Sequence, residues 1–533
     1  MELINNLLAK LDIHTLENLV GETIYKAVQS AYQTNRQPEL ARLVADRYGT
    51  QLLKNTEIRL HLVDCLSARD AELAAQKLGN KKDNSHEFLN RRFSGPFNSQ
   101  RAIEFVEIFS LPEYFVPPKI EETRLAEENI HGLYGETMIS KGVLHPYQRR
   151  VKDNIRKALD DGHRRIMCQM PTGAGKTVTA LEVITDYLRG PHFNNLVVWV
   201  VNSQELADQA LESFKSLWKQ RGDRPIGVYR YFDIFSSNFT NCSPGVVFAS
   251  FDKAWASYQS KDAERKSNFK SLCSRSSLVV VDEAHSSLAE TYFEIINKLI
   301  SYNASLIGLS ATPGRSNANA TDELSAFYGK KLISITDLND KNINDPIEYL
   351  KQEGYLAEIV FEDLSSGTEI KTNDETKVCK ELAENPERNS QIIFQIERAL
   401  KSNESTIVFA CTKDHVLALV ALCRAKNINV DFVIGEVPTA KRIDIFERFR
   451  NNELKIIINH DMLSTGIDLP KVDRLICTRP VGSAILYSQM IGRALRGPKN
   501  GGNKKNTVVN INDNLLNFPS AAHVYNSFKN NFI

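Results

Sequence analysis

The sequence predicts an α/β protein: two tandem domains, each built on a parallel sheet, preceded by an all-helical N-terminal domain. Three observations carry this. Over the first ~130 residues apolar side chains recur with a helical period. After that the texture changes to short β-branched runs (RRIMCQM, LVVWVV, GVVFAS, SLVVVD, SLIGLS) separated by helix-length amphipathic segments, the pattern of parallel strands joined by crossover helices. The alternation pauses over 336–356 and resumes with AEIVFEDL, TIVFA, VDFVIG, KIIIN, RLICT and NTVVNIN, which places a second sheet behind the first. The expected boundaries are 1–135, 136–340 and 341–533.

The helical part shows its own signals. Leu16, Leu19, Val20, Ile24, Ala27, Val28 and Ala31 fall on one face of a 3.6-residue period and predict a helix through that stretch. In SARDAELAAQKLGN, Ser67 is a candidate N-cap with Asp70 three residues on, and Gly79 stands where a left-handed residue would end the helix. Pro112, Pro117 and Pro118 break the pattern, and EETRLAEEN reads as a linker.

Composition excludes several classes. Sixty-six basic and sixty-five acidic residues nearly cancel, so a nucleic-acid partner must be held by a local surface. The longest apolar runs are strand-length, far short of a membrane span. The start, MELINNLLAKLDIH, has no apolar signal region, so a cytoplasmic protein with no membrane partner is expected. Eight cysteines stand singly with no C-x-x-C pair, indicating neither a zinc site nor a disulfide framework.

The chemistry starts at QMPTGAGKT, residues 169–177. Strand, loop and helix follow in the order a phosphate-binding loop requires. Thr172, Gly173, Ala174 and Gly175 form the loop, Lys176 neutralises the β/γ-phosphates and Thr177 supplies a hydroxyl to Mg²⁺. The full pattern wants a glycine at position 170, where this chain has Met170. A second element supports the first. LVVVDEAH is a buried strand ending in Asp282 and Glu283, where ligands of α/β sheets sit. Asp282 is placed to hold Mg²⁺, and Glu283 to orient or deprotonate the attacking water.

TGAGKT, then DEAH, then SAT (Ser310–Thr312) resembles superfamily 2 helicases and translocases, in which the loop commonly lacks its first glycine. The resemblance covers roughly residues 140–515 and implies two RecA-like domains that use ATP and Mg²⁺. It implies that Gln148 of LHPYQRR reads adenine, with Tyr147 and Arg149 beside the base. Strand-end loops VNSQELADQ (Gln204, Leu206, Gln209) and ASFDKAW (Ser250, Phe251) resemble nucleic-acid contacts. His285, Ser310 and Thr312 resemble the residues that couple ATP state to grip. In the second domain the resemblance gives Thr412 a phosphate contact, Ser464 a nucleic-acid contact, and Gly466 and Asp468 an approach to the nucleotide. SQMIGRALR carries Gln489, Arg493 and Arg496, similar to the family's arginine-finger helix, where i, i+3 spacing would put both arginines on one face.

DEAH with H-P-Y-Q, together with Q-M-I-G-R-A-L-R and PIEYLKQEGYLAEI, looks more like the DNA-directed branch, which includes type I restriction motors and bacterial DNA-repair helicases. DNA is therefore preferred to RNA. The alternatives are an RNA helicase and an ATP-gated clamp that recruits a partner. No nuclease cluster is visible in residues 1–135 or after 515. The N-terminal domain is expected either to recognise a substrate or partner protein, or simply to pack against the first lobe. The loop GPKNGGNKKN (Lys499, Lys504, Lys505) reads as solvated surface.

Overall fold

The structure is a computed structural model that describes residues 2–34, 36–80, 84–112, 115–116, 126–132, 144–190, 194–311, 318–336, 343, 345–370, 374–460, 471–480, 487, 490–492 and 494–515. Two parallel sheets organise it. The first contains β1 (Glu127–Ile130), β2 (Arg165–Gln169), β3 (Leu196–Val201), β4 (Ile226–Tyr231), β5 (Gly245–Ser250), β6 (Ser276–Val281), β7 (Ser305–Ser310) and β8 (Leu332–Ile333), in the order β1-β4-β5-β3-β6-β7-β2-β8. Only β1 runs antiparallel, pairing with β4. β3 is buried at every position, as a strand covered by helices on both faces must be, and that is why LVVWVV is apolar without alternation.

The second sheet contains β9 (Glu358–Ile370), β10 (Thr406–Phe409), β11 (Asp431–Val433), β12 (Ile456–Asn459), β13 (Arg474–Cys477) and β14 (Lys505–Leu515), in the order β11-β12-β10-β13-β14-β9, parallel throughout. The strands read from the sequence are all present. Three others were not: β4 breaks its apolar run with Gly227 and Arg230, β8 is two residues long, and β1 starts inside the stretch expected to be a linker.

Two compact units result. One holds the described residues of Glu122–Ala357 together with the short strap Leu495–Asn500; the other holds those of Met1–Glu121, Glu358–Ala494 and the chain from Gly501. The N-terminal helices therefore belong with the second sheet, not with the first lobe as one expectation had it. Helices Glu22–Ala31 and Arg36–Tyr48 lie on helix Lys413–Ala425, which follows β10. Arg424, at the end of that helix, pairs with Glu39 (3.2 Å) and Asp46 (2.9 Å), and Arg47 pairs with Asp414 at its start (3.1 Å). Helix Arg36–Tyr48 is thus tied to both ends of that helix by ion pairs.

The expected single helix over Leu16–Ala31 is two, Ile13–Val20 and Glu22–Ala31. Gly21 separates them at φ 86°, and a Cβ there would sit 2.5 Å from Arg47 Nη1. Ser67 caps its helix by accepting from the Asp70 N–H, and Gly79 ends it at φ 86°, both as read from the sequence. All eight cysteines are free thiols. Among the described residues no helix is long and apolar enough to cross a membrane.

Candidate nucleotide site

β2 ends at Gln169, and the loop that follows turns into helix Lys176–Leu188. Gly173 and Gly175 both take positive φ, 81° and 79°, which residues with a Cβ adopt at a cost. Lys176 is the first helical residue, so its ammonium and the free N–H groups of the first turn stand at the same end. Met170 is fully buried and its N–H donates to the Ser310 carbonyl (3.1 Å), extending the β2–β7 ladder by one residue. Extended backbone needs no glycine. The residue that breaks the full phosphate-loop pattern is a core side chain at the end of a strand.

Across β7 from that loop, β6 delivers Asp282 and Glu283. The Asp282 N–H still bonds the ladder through Val200 O (3.1 Å), and its Oδ1 accepts from the Glu283 N–H (2.9 Å). Glu283 sits at φ 51°, ψ 48°, a left-handed conformation that a side chain rarely adopts without compensating contacts. Its Oε1 lies 4.0 Å from Lys176 Nζ and its Oε2 3.4 Å from His285 Nδ1. Burial, with Glu283 beside it and Lys176 opposing, raises the Asp282 carboxyl above the usual carboxylate range. A divalent cation would restore its charge. The hard oxygen donors here, the Asp282 carboxylate and the Thr177 hydroxyl, are those Mg²⁺ favours. Ser310, at the end of β7, is fully buried between the two elements.

Tyr147 and Gln148 open helix Pro146–Asp160, and both reach the phosphate loop. Tyr147 Oη and Gln148 Nε2 each donate to the Ala174 carbonyl, at 3.0 Å. Gln148 Oε1 accepts from the His145 N–H (2.9 Å), which fixes the amide's orientation. One N–H and one lone pair of that amide remain for a base. A Cβ on Gly175 would meet Gln148 Nε2 at 2.3 Å, a second reason for glycine there. Arg149 is exposed.

The remaining sequence candidates fare unevenly. Gln204 is exposed at the start of the helix after β3, with Leu206 half-buried and Gln209 exposed on the same helix. Ser250 and Thr412 are N-caps at the ends of β5 and β10, their oxygens accepting from the N–H groups of Lys253 (3.3 Å) and His415 (3.0 Å). Each keeps its own O–H to donate. Phe251 is corrected: its ring is 2% exposed and stacked on Tyr292 at 4.0 Å, because it is the inward-facing first residue of its helix. The helix expected to carry Arg496 is corrected; the residue's role is not. Arg496 is not helical; its backbone bridges Leu356 in the strap that belongs with the first sheet. Gly497 and Pro498 directly after it end any helix. Thr312, Ser464, Gly466, Asp468, Gln489 and Arg493 lie outside the described residues.

Sequence reading passed over several groups at these strand ends. Arg388, wholly buried, bonds Asp513 (2.9 and 3.0 Å) and the Thr478 carbonyl just past β13. His145 and Asn500 were missed as well; His145 could have been flagged as the N-cap before Pro146.

Residues 141–315 match the family model described as "Type III restriction enzyme, res subunit", and residues 387–498 match "Helicase conserved C-terminal domain". The chain is 26% identical over 370 residues to "Putative ATP-dependent helicase IRC3" of Saccharomyces cerevisiae, covering 67% of this chain and 50% of that one. It is 25% identical over 434 residues to the type I restriction enzyme EcoKI endonuclease subunit of Escherichia coli, covering 73% and 36%. It is 25% identical over 373 residues to the ATP-dependent RNA helicase DBP10 of Scheffersomyces stipitis, covering 64% and 38%. The chain thus spans about half the length, or less, of these curated relatives.

Proposed function

We propose that this chain, a two-sheet ATPase of the superfamily 2 helicase type, is an ATP-dependent DNA helicase or translocase that couples ATP hydrolysis to movement on DNA. One observation carries the reading. Lys176 heads the phosphate-loop helix 4.0 Å from Glu283, and Glu283 follows Asp282 at the end of β6. Both elements lie in the stretch, residues 141–315, that matches the model described as "Type III restriction enzyme, res subunit".

In this reading residues 136–340 form the ATP-binding domain and 341–533 the helicase C-terminal domain. The helices of 1–135 recognise a substrate or dock a partner protein. Thr177 and Asp282 would hold Mg²⁺, which supplies charge neutralisation at the β/γ-phosphates when bound. Lys176 draws the γ-phosphate charge, and Glu283 takes the proton of the attacking water. Gln148 presents its oriented amide to adenine. Arg496, in the same compact unit as the phosphate loop, is our candidate for charge stabilisation in the transition state. Ser250 and Thr412 donate to the nucleic-acid backbone. Gly466, Asp468, Gln489 and Arg493 keep their family roles as proposals, as do the coupling residues His285, Ser310 and Thr312. The setting is cytoplasmic, in DNA repair or defence against foreign DNA.

DNA is favoured by the restriction-subunit likeness; the DBP10 likeness favours RNA. Comparing ATPase rates with no polymer, single-stranded DNA, duplex DNA and RNA separates them. Greater stimulation by either DNA is expected. Greater stimulation by RNA overturns the DNA assignment, and no stimulation by any polymer overturns the motor.

A further inference from the structure

We propose that Asn500 is a positioning residue for nucleotide selection, acting through His145 on the Gln148 amide. It rests on the nucleotide-hydrolysing reading above and adds a residue that no phosphate-loop or adenine motif contains.

The connection is a run of hydrogen bonds. Asn500 Nδ2 donates to the Tyr355 carbonyl (2.7 Å), which settles the orientation of its amide and leaves Oδ1 facing His145. His145 Nε2 lies 2.7 Å from that Oδ1, so the ring carries its proton on Nε2 and donates. The His145 backbone N–H donates to Gln148 Oε1 (2.9 Å), and Gln148 Nε2 donates to Ala174 O in the phosphate loop (3.0 Å). His145 is thus held at its ring by Asn500 while its main chain sets the direction of the Gln148 amide.

The surroundings leave little slack. Tyr355 packs on the His145 ring (4.7 Å between centroids) and on Tyr147 (4.8 Å), and Lys499 Nζ lies 4.5 Å from the Tyr355 ring centre. The strap is laced to the preceding chain by backbone bonds: Ala357 N–H to Leu495 O (2.8 Å), Gly497 N–H to Tyr355 O (3.1 Å) and Lys499 N–H to Gly354 O (3.0 Å). A Cβ on Gly497 would approach Gly354 O to 2.5 Å, so the two segments meet without room for one. Asn500 is the last residue of this strap before the chain rejoins the second unit. Its side chain turns back toward the adenine-motif helix instead of facing solvent.

A purine is selected by which amide atom faces it: adenine offers a donor at its exocyclic nitrogen where guanine offers an acceptor. An amide free to turn over loses that distinction. The test measures binding of fluorescent ATP and GTP, with Mg²⁺, to the full chain, so turnover is not needed as a readout. Wild type is expected to prefer ATP. Asn500→Ala is expected to weaken ATP binding about tenfold and GTP binding far less, the size of one hydrogen bond's contribution. Asn500→Asp keeps an acceptor for His145 but sets a carboxylate oxygen against the Tyr355 carbonyl that Nδ2 now bonds, so it should restore the preference in part. His145→Phe, which keeps a ring but removes the donor, should match Asn500→Ala, and the pair together should cost no more than either alone. Should Asn500→Ala fail to fold, His145→Phe carries the test. An unchanged ATP-to-GTP ratio in the folded variants, equal weakening of both nucleotides, or a wild type with no preference overturns the assignment. A wild type that selects ATP normally but whose ATPase ignores every polymer overturns only the motor reading.

Discussion

Lys176 Nζ stands 4.0 Å from Glu283 Oε1, and the same carboxylate reaches back to within 3.4 Å of His285 Nδ1. A cation from the head of a helix and a carboxylate from the end of a strand thus approach one point, which the proposed function assigns to the γ-phosphate. Neither group is closely paired, so both can turn to a ligand. The left-handed backbone of Glu283 is the conformational cost of aiming it there.

Two substitutions at Glu283 separate strain from chemistry. Glu283→Gln should keep ATP binding within a few-fold and lower hydrolysis by about 10²-fold or more, the usual weight of a general base. Glu283→Gly should abolish hydrolysis too, yet raise unfolding stability by about 1 kcal/mol, since glycine occupies φ 51° without strain. Thermal unfolding of the two variants side by side checks this. A glycine variant less stable than the glutamine variant would show that the backbone is not strained.

Met170 offers a test of the missing glycine. If the loop were merely a degraded motif, restoring glycine should improve nucleotide binding. The structure makes Met170 a fully buried core residue on an extended strand end. Met170→Ala should therefore cost about 2–5 kcal/mol of stability, and Met170→Gly more, with no gain in ATP affinity. Urea unfolding and nucleotide titration together decide it.

Both sheets were legible because strands buried on two faces must be apolar throughout, and crossover connections impose parallel order. What failed to show was short or conditional. β1 is a polar edge strand, Glu127 and Asn129 exposed, whose partner, β4, lies far along the chain (Glu127 opposite Tyr229), and no local pattern announces such a pairing. Gly21 interrupts a helical stripe without disturbing its periodicity, so the stripe alone could not reveal two helices. The loop glycines Gly173 and Gly175 were readable because positive φ favours glycine, and Asp282 and Glu283 because two carboxylates end an otherwise apolar strand. The Arg496 strap was misjudged: the i, i+3 spacing was followed, while the Gly497–Pro498 stop signal next to it was not weighed. Arg388 and Asp513 were invisible because 125 residues separate the two ends of their ion pair.

That ion pair yields a third prediction. The side chains of Arg388 and Asp513 are 0% and 1% exposed, so each charge is desolvated and depends on the other. Asp513→Ala should destabilise the second unit by about 3–5 kcal/mol, since it strands the guanidinium between the Thr478 carbonyl and Cys411. Replacing both partners by Arg388→Met with Asp513→Leu should recover most of that loss. A double variant as unstable as Asp513→Ala would mean that the guanidinium's bond to Thr478 O, not the ion pair, is the essential contact.

The last prediction concerns acid. His415 is completely buried in the first turn of the helix after β10. Its Nδ1 accepts from the Cys411 N–H (3.1 Å), so the proton is on Nε2, which donates to Asn389 Oδ1 (2.9 Å). Asn389 in turn donates to Ala383 O (2.8 Å), which fixes the amide and with it the tautomer. Burial first, then the positive charge of Arg388 and His460, hold the His415 pKa well below its ordinary value. The folded protein therefore keeps the ring neutral, while the unfolded chain binds a proton below pH ~6.5. Stability from this group is intact above that pH and falls as pH drops, at about 1.4 kcal/mol per unit, until the folded pKa is reached. Other groups titrate in the same range, so the observable is the difference between wild type and His415→Gln. The glutamine variant can still accept from Cys411 but cannot take up the proton. Urea midpoints measured from pH ~7.5 down to ~5.5 should fall more steeply for wild type, by one proton's slope, whatever the offset between the two curves. Parallel curves would mean that the ring is already protonated in the fold, and that the Cys411 N–H does not point at Nδ1.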